Sequence, residues 1–295
     1  MHRLATATIA SALLLCACQN GTVTLSIADA PIDGASQVVI KFTSVDLVQS
    51  DGSTHSFEFA QPLTPNFVSS TTTPLLTNVT VPAGDYTGIT LHISADGTTA
   101  NSFVTYSTTS PVNAGETVAM QLADTSTDAV DVQDAFSVTR LRNTARVVDI
   151  DLRKSIQKPQ NSGDPLVLDP QVQLIDSDQV GTLTGTVAAS LVASNASCPP
   201  AAVYVYTGNV ETPGDYGGTG AQPVASTVIP TGGSGTGFVP FTVRYLSPGT
   251  YSVALICDAQ NDDPNQADSN LTFSATQQDL EVVAGQTTTM LNALQ

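Results

Sequence analysis

Apolar and polar residues alternate with a period of two along most of this chain. In Thr22-Val-Thr-Leu-Ser-Ile27, Val23, Leu25 and Ile27 fall on one face, with Thr and Ser on the other, the pattern of a half-buried strand. Similar segments predict strands at 37–47, 56–59, 75–81, 86–93, 103–106, 117–122, 136–138, 145–152 and 167–175. No stretch carries the three-to-four-residue apolar spacing of an amphipathic helix. Asp51-Gly52 supplies a tight hairpin turn. Asp176-Ser-Asp-Gln179 interrupts the pattern, and Val180-Gly-Thr-Leu-Thr-Gly-Thr-Val187 begins it again. Strands are predicted at 204–206, 238–246, 251–257, 271–275 and 280–283, whereas 208–237, rich in Gly, Pro and Thr, reads as a long exposed loop around 224–229. Short strands at this spacing predict an all-β chain of two tandem β-sandwich domains, 22–179 and 180–295.

The two halves share turn punctuation. Pro82-Ala-Gly-Asp-Tyr86 matches Pro248-Gly-Thr-Tyr251, and Ala114-Gly-Glu-Thr117 matches Ala284-Gly-Gln-Thr287. After Tyr86 the apolar face is Ile89, Leu91 and Ile93; after Tyr251 it is Val253, Leu255 and Cys257. A one-residue slip reverses the faces of a strand, so the match implies a shared architecture rather than a strict repeat.

The N-terminus has a different texture. Arg3 precedes an uncharged run from Leu4 to Ala17, long enough for a signal peptide and short of the roughly 20 residues that span a bilayer. Leu15-Cys16-Ala17-Cys18 closes that run and resembles a lipobox; Leu15 does not suit an ordinary secretory cleavage, which wants a small residue there. The resemblance implies removal of the signal peptide 1–17, lipidation at Cys18, a tether at 18–21, and membrane attachment through the lipid. Gln19, where an Asp would imply inner-membrane retention in a Gram-negative host, implies a cell outer membrane address. Cys16 then leaves with the signal and Cys18 carries lipid, so Cys198 and Cys257 remain, an even pair expected to form a disulfide in an oxidising compartment, with two buried free thiols as the alternative.

Without Arg3 the chain has eight basic residues against 26 acidic, a net charge of −18, which excludes nucleic acid as a general partner. Charged residues make up only 12% of the chain, and Thr, Ser, Val and Gly dominate instead, the usage of an exported β protein.

Three segments carry a family resemblance: Val23-Thr-Leu-Ser-Ile-Ala-Asp-Ala-Pro-Ile-Asp33, Thr80-Val-Pro-Ala-Gly-Asp-Tyr86, and Asp149-Ile-Asp-Leu-Arg-Lys-Ser155 with Lys158-Pro159. Together they resemble bacterial envelope lipoproteins with an N-terminal domain of unknown function of the 4382 type. The C-terminal half is similar to transthyretin-like or carboxypeptidase-regulatory-like β-domains. The resemblance implies a β-rich lipoprotein and supplies no catalytic residues.

Candidate chemistry is sparse. Arg140, Arg142, Arg146, Arg153 and Lys154 crowd one stretch and could grip an anionic group, or pair with Asp149, Asp151 and nearby acids. The predicted strand 145–152, extended to Arg153, places Asp149, Asp151 and Arg153 on one face. Asp258, Asp262, Asp263 and Asp268 lie in a run of oxygen donors that could hold Ca²⁺, although the spacing departs from the Ca²⁺ loop motif and Asx residues equally cap turns. Asp124 to Asp134 is a similar, weaker run. His55 and His92 stand in no metal-binding spacing, and Ser234 in Gly232-Gly-Ser-Gly-Thr236 lacks the last Gly of a nucleophile elbow. The expectation is a non-catalytic envelope protein with a binding or structural role and an unidentified protein or glycan partner. A fimbrial or adhesin-type fibre subunit and a Ca²⁺- or anionic-glycan-binding module are the alternatives. Against the fibre reading, the first basic residue after Cys18 is Lys41, inside a predicted strand, where a processing protease would not reach it.

Overall fold

The computed structural model describes residues 20–28, 32–68, 72–110, 113–159, 161, 163–193, 198, 200–230, 236–268 and 271–295. The lipobox, Cys18 and Gln19 lie outside them, as does Ser234. The described chain is almost entirely β. Its first half contains β1 (Asn20–Ala28), β2 (Ala35–Val39), β3 (Lys41–Gln49), β4 (Thr54–Leu63), β5 (Thr73–Pro82), β6 (Gly84–Ser94) and β7 (Phe103–Tyr106). Then come β8 (Thr117–Leu122), β9 (Ala129–Val132), β10 (Phe136–Val138), β11 (Asn143–Ile150), the one-turn helix α1 (Leu152–Ser155), β12 (Ile156–Gln157), β13 (Leu166–Leu168) and β14 (Val172–Ile175). The second half has β15 (Gly181–Ala188), α2 (Ala189–Val192), β16 (Ala201–Thr207), β17 (Ala225–Ile229), β18 (Phe238–Leu246), β19 (Gly249–Cys257), β20 (Thr272–Val282) and β21 (Thr287–Thr289).

The two halves repeat one seven-stranded sandwich. In the first, one sheet contains β11-β1-β5 and the facing sheet β10-β6-β3-β4; in the second, the corresponding sheets are β21-β15-β18 and β20-β19-β16-β17. The directions agree. The first strand lies parallel to the last, β1 to β11 and β15 to β21, and antiparallel to its other neighbour, β5 or β18.

Local chemistry repeats as well. In the turn from β5 to β6 the Tyr86 hydroxyl donates to the Pro82 carbonyl at 2.8 Å; from β18 to β19, Tyr251 donates to Ser247 at 2.7 Å. Both tie a Tyr back onto the turn four residues upstream, as a tyrosine corner does. Gly21 and Gly181 open the two first strands against equivalent turns. A Cβ on Gly21 would meet the Thr139 carbonyl oxygen at 2.4 Å, and one on Gly181 the Val283 carbonyl oxygen at 2.5 Å.

The reversed faces in the sequence have a structural cause. Gln49 pairs with Tyr86 but Val48 with Gly88, so β6 holds a bulge that β19 lacks opposite β16. The bulge inserts one residue and returns Ile89, Leu91 and Ile93 to the side of Tyr86. Gly88 is required there, because a Cβ would lie 2.0 Å from the Val132 carbonyl oxygen.

Each half buries its own core. Val23, Leu25, Phe42, Leu47, Tyr86 and Leu91 belong to the first, and Leu183, Val187, Val203, Val205, Val253 and Leu255 to the second. Cys198 and Cys257 form a disulfide within the second core. The first half carries an additional sheet, β12-β13-β8-β7-β2, with no counterpart among the described residues of the second.

Several sequence expectations are corrected. Segment 37–47 is two strands in different sheets, β2 and β3. Segment 167–175 is also two, separated around Pro170, which has no N–H for a sheet ladder. Residues 271–275 and 280–283 are joined by continuous β20, through a left-handed residue at Asp279. The 208–237 stretch is not simply an exposed loop: β17 pairs with β16, and Tyr216 is fully buried.

Candidate binding cleft between the sandwiches

Strand β11 stops at Ile150, and Asp151 caps the single turn α1. The Asp151 side chain accepts from the Lys154 amide at 3.2 Å, and its carbonyl accepts from the Ser155 hydroxyl at 2.6 Å. This turn overturns the expectation that Asp149, Asp151 and Arg153 share a strand face. Leu152 points into the first core, and Arg153 reaches the second sandwich.

Arg153 is 8% exposed and Asp33, its ion-pair partner through Nη1, is 5% exposed. Arg153 Nη1 also donates to the Ala259 carbonyl at 3.0 Å, and Nε to the Ser226 hydroxyl at 3.2 Å. Its guanidinium lies 5.3 Å from the centre of the Tyr204 ring. Burial opposes the Arg153 charge, but Asp33 together with Tyr204 and Tyr216 outweighs it and holds the guanidinium protonated. One side chain of the first half is thus bound to three residues of the second. A smaller apolar contact supports it, with Val180 and Tyr245 packed on Ala28, Val147 and Ile175.

Tyr204 faces outward from β16 because Val203 and Val205 face the core. Its hydroxyl donates to Asp262 Oδ2 at 2.5 Å, and the Tyr216 amide donates to the same oxygen at 3.4 Å. Lys154 Nζ lies 5.0 Å from the Tyr216 ring centre. Burial raises both tyrosine pKa values and pushes the Asp262 carboxyl up to about 6.

Beside this contact opens a cleft of about 660 Å³, within the range of small-ligand sites. Tyr106, Glu116 and Ile156, from or beside the additional sheet, line one wall, and Gln260, Asp262 and Asp263 the other. Arg153 and Asp33 lie at the junction, with Lys158 at hand.

The five proposed anion-binding residues do not converge. Arg140 and Arg142 are exposed in the turn before β11. Arg146 pairs with Asp176 at 3.0 Å, Lys154 with Asp151 at 3.7 Å, and Arg153 with Asp33. Asp149 accepts from Gln173 at 3.0 Å, and burial raises its pKa to about 6. Of the four cation candidates, Asp258 takes a left-handed backbone before the 3₁₀ turn Ala259–Asn261, and Asp263 accepts from the Asn265 amide. Asp262 and Asp268 do come together, with Asp215 from a distant loop, which the sequence reading did not include. The weaker acidic run is dispersed: Asp124 caps Ser126, Asp128 meets His92, Asp131 accepts from Thr90 and Asp134 from the Leu174 amide. His92 bridges Asp46 at 3.2 Å and Asp128 at 3.1 Å, and His55 meets Gln49 at 3.2 Å.

The architecture defines an all-β protein of two topologically equivalent sandwiches with an inserted sheet. The family described as a domain of unknown function, DUF4382, matches residues 20–170, and the chain belongs to that family. No curated protein matches the chain. Among solved structures it is similar to a leucine-rich repeat protein from Bacteroides thetaiotaomicron, at 12% identity and a TM-score of 0.19. That match covers 94% of this chain and 26% of the other, so the chain spans about a quarter of that protein. A candidate adhesin from Bacteroides ovatus is 10% identical over 94% of this chain and 88% of that one, with a TM-score of 0.23. A fimbrial anchor protein from Porphyromonas gingivalis is 13% identical over 82% of this chain and 80% of its own, with a TM-score of 0.17. Scores this low define neither a shared fold in detail nor a shared role.

Proposed function

We propose that this protein is a non-catalytic, lipid-anchored cell-envelope protein whose cleft holds a partner. The observation that carries this reading is the Arg153 contact, which draws Asp33, Ser226 and Ala259 together from both halves beside the cleft. The lipobox resemblance supports attachment through Cys18 at the outer membrane. The second sandwich, which resembles transthyretin-like β-domains, supplies the cleft wall formed by 259–264. The buried groups around Arg153 fix the cleft wall rather than offer a nucleophile with a base beside it.

The test combines acyl labelling with crosslinking in intact cells. Wild-type protein should incorporate an alkyne fatty acid and capture a partner; Cys18→Ser should lose the label, and Glu116→Lys the partner. Unchanged labelling of Cys18→Ser would overturn the anchor. Capture unchanged by Glu116→Lys would overturn the cleft. Turnover on glycan, ester or peptide libraries, lost on changing one acidic residue, would overturn the non-catalytic reading. A ladder of multimers of this chain would favour the fibre subunit.

A further inference from the structure

We propose that Asp215, Asp262 and Asp268 form a Ca²⁺ site on the outer face of the second sandwich. One carboxylate oxygen from each lies within 4.8 Å of the other two. Ca²⁺ binds oxygen at about 2.3–2.6 Å, so one ion can touch three oxygens up to about 4.5 Å apart, at the edge of that spacing. The cluster joins two irregular segments, one between β16 and β17 and the other after β19. Tyr206 fixes the first segment by donating to the Gly214 carbonyl at 2.7 Å, and Asp268 links the two through its amide to Asp215 Oδ2 at 2.6 Å.

Proximity alone would not distinguish a site from a group of turn-capping acids. The second observation is Asp262, which is only 7% exposed. Its Oδ2 is occupied by the Tyr204 hydroxyl and the Tyr216 amide. Its Oδ1 is enclosed and has no hydrogen-bond partner among the described residues. A buried carboxylate oxygen without a partner is costly, and a bound cation removes that cost. None of the three acids forms an ion pair with a basic side chain among the described residues. The donors are all hard oxygens on irregular loops, which suits Ca²⁺ better than the strict octahedron of Mg²⁺.

This inference is independent of what the cleft binds. It gives the ion a defined role, however, because Asp262 and its neighbours Asp263 and Pro264 also line the cleft. Ca²⁺ would fix that wall, and through Tyr204 the ring on which Arg153 rests.

Terbium luminescence on the full mature chain tests the site. The chain has no Trp, so tyrosine is the aromatic donor available, and Tyr204 is hydrogen-bonded to the site itself. Tyrosine-sensitised emission should appear on adding Tb³⁺ and be displaced by Ca²⁺ more readily than by Mg²⁺. Millimolar Ca²⁺ should raise the melting temperature, since it binds the folded state. Asp215→Asn and Asp268→Asn should each weaken the displacement at least tenfold while leaving the circular dichroism unchanged; two variants guard against one misfolding. Absence of both Ca²⁺ responses in folded wild-type protein would overturn the site. So would responses that persist in both variants, the behaviour of ions scattered over an acidic surface. Equal displacement by Mg²⁺ would overturn the assignment of Ca²⁺.

Discussion

Replacing Arg153 with Met tests the contact between the sandwiches most directly. The substitution keeps much of the side-chain volume and removes the charge. Asp33 would be left 5% exposed with no cation, and the Ala259 carbonyl and Ser226 hydroxyl would each lose a donor. Breaking one side of a buried ion pair costs about 3–5 kcal/mol, chiefly because the remaining charge stays buried. Asp33→Asn should cost a similar amount by stranding Arg153. The double change Asp33→Leu with Arg153→Met removes both charges together, and an apolar replacement of a whole buried pair is close to neutral. It still loses the two hydrogen bonds, at about 1 kcal/mol each. The double variant should therefore be more stable than either single variant, a non-additivity that a double-mutant cycle reads directly. Urea unfolding followed by tyrosine fluorescence provides the measurement. Arg153→Met should also separate one transition into two, as the halves lose their main polar link. Single-variant costs below about 1 kcal/mol, or a double-variant cost equal to the sum, would refute the reasoning.

Three further predictions follow from named groups. Burial lowers the His92 pKa, but hydrogen bonds and charge from Asp46 and Asp128 outweigh it and leave the value raised, so the stabilisation is full below the ordinary histidine pKa and lost as pH rises through the folded value. His92→Gln should cost about 1 kcal/mol at pH 5.5 and almost nothing at pH 9 in paired denaturant titrations. The Asp149 pKa is raised by burial to about 6 from 3.8, so its charged form opposes folding at neutral pH, and stability from this group returns as pH falls through 6. Asp149→Asn should be more stable than wild type at pH 7.5, by roughly 3 kcal/mol at most, with the gap closing below pH 4; equal stability at pH 7.5 would contradict it. Tyr86→Phe and Tyr251→Phe should each cost about 1 kcal/mol, one in each sandwich, and equal protection of both halves from hydrogen exchange in the two variants would argue against matched corners.

The strand pattern made much of the fold legible, because period-two alternation records which face meets a core. Val23, Leu25 and Ile27 are buried as that pattern requires, and segments 103–106, 117–122, 136–138 and 238–246 are strands with those bounds. The matching turns at Tyr86 and Tyr251 were also readable. What hid the full correspondence was the bulge at Gly88, which shifts apparent phase without changing the face that is buried. The site was much less legible. Asp33, Tyr204, Ser226 and Ala259 converge on Arg153 from four separate segments, and no local spacing encodes such a meeting. Arg153 read as one member of a basic cluster, yet the one-turn helix separates it from Arg146 and sends each to a different acid. The acidic run after β19 was visible, but Asp215, which completes the group with Asp262 and Asp268, comes from the separate segment between β16 and β17.

The parallel pairing of first and last strands bears on how the protein can be made. Thr22 of β1 meets Asn143 across 121 positions of sequence, and Thr184 of β15 meets Thr289 across 105. A strand synthesised first is therefore completed last, and each sandwich keeps an open edge until its final strand arrives. Contacts so distant in sequence close slowly, and unpaired edges in multidomain chains invite exchange between equivalent strands. With β11 and β21 filling topologically equivalent places, the nascent chain carries two rival closures for each first strand.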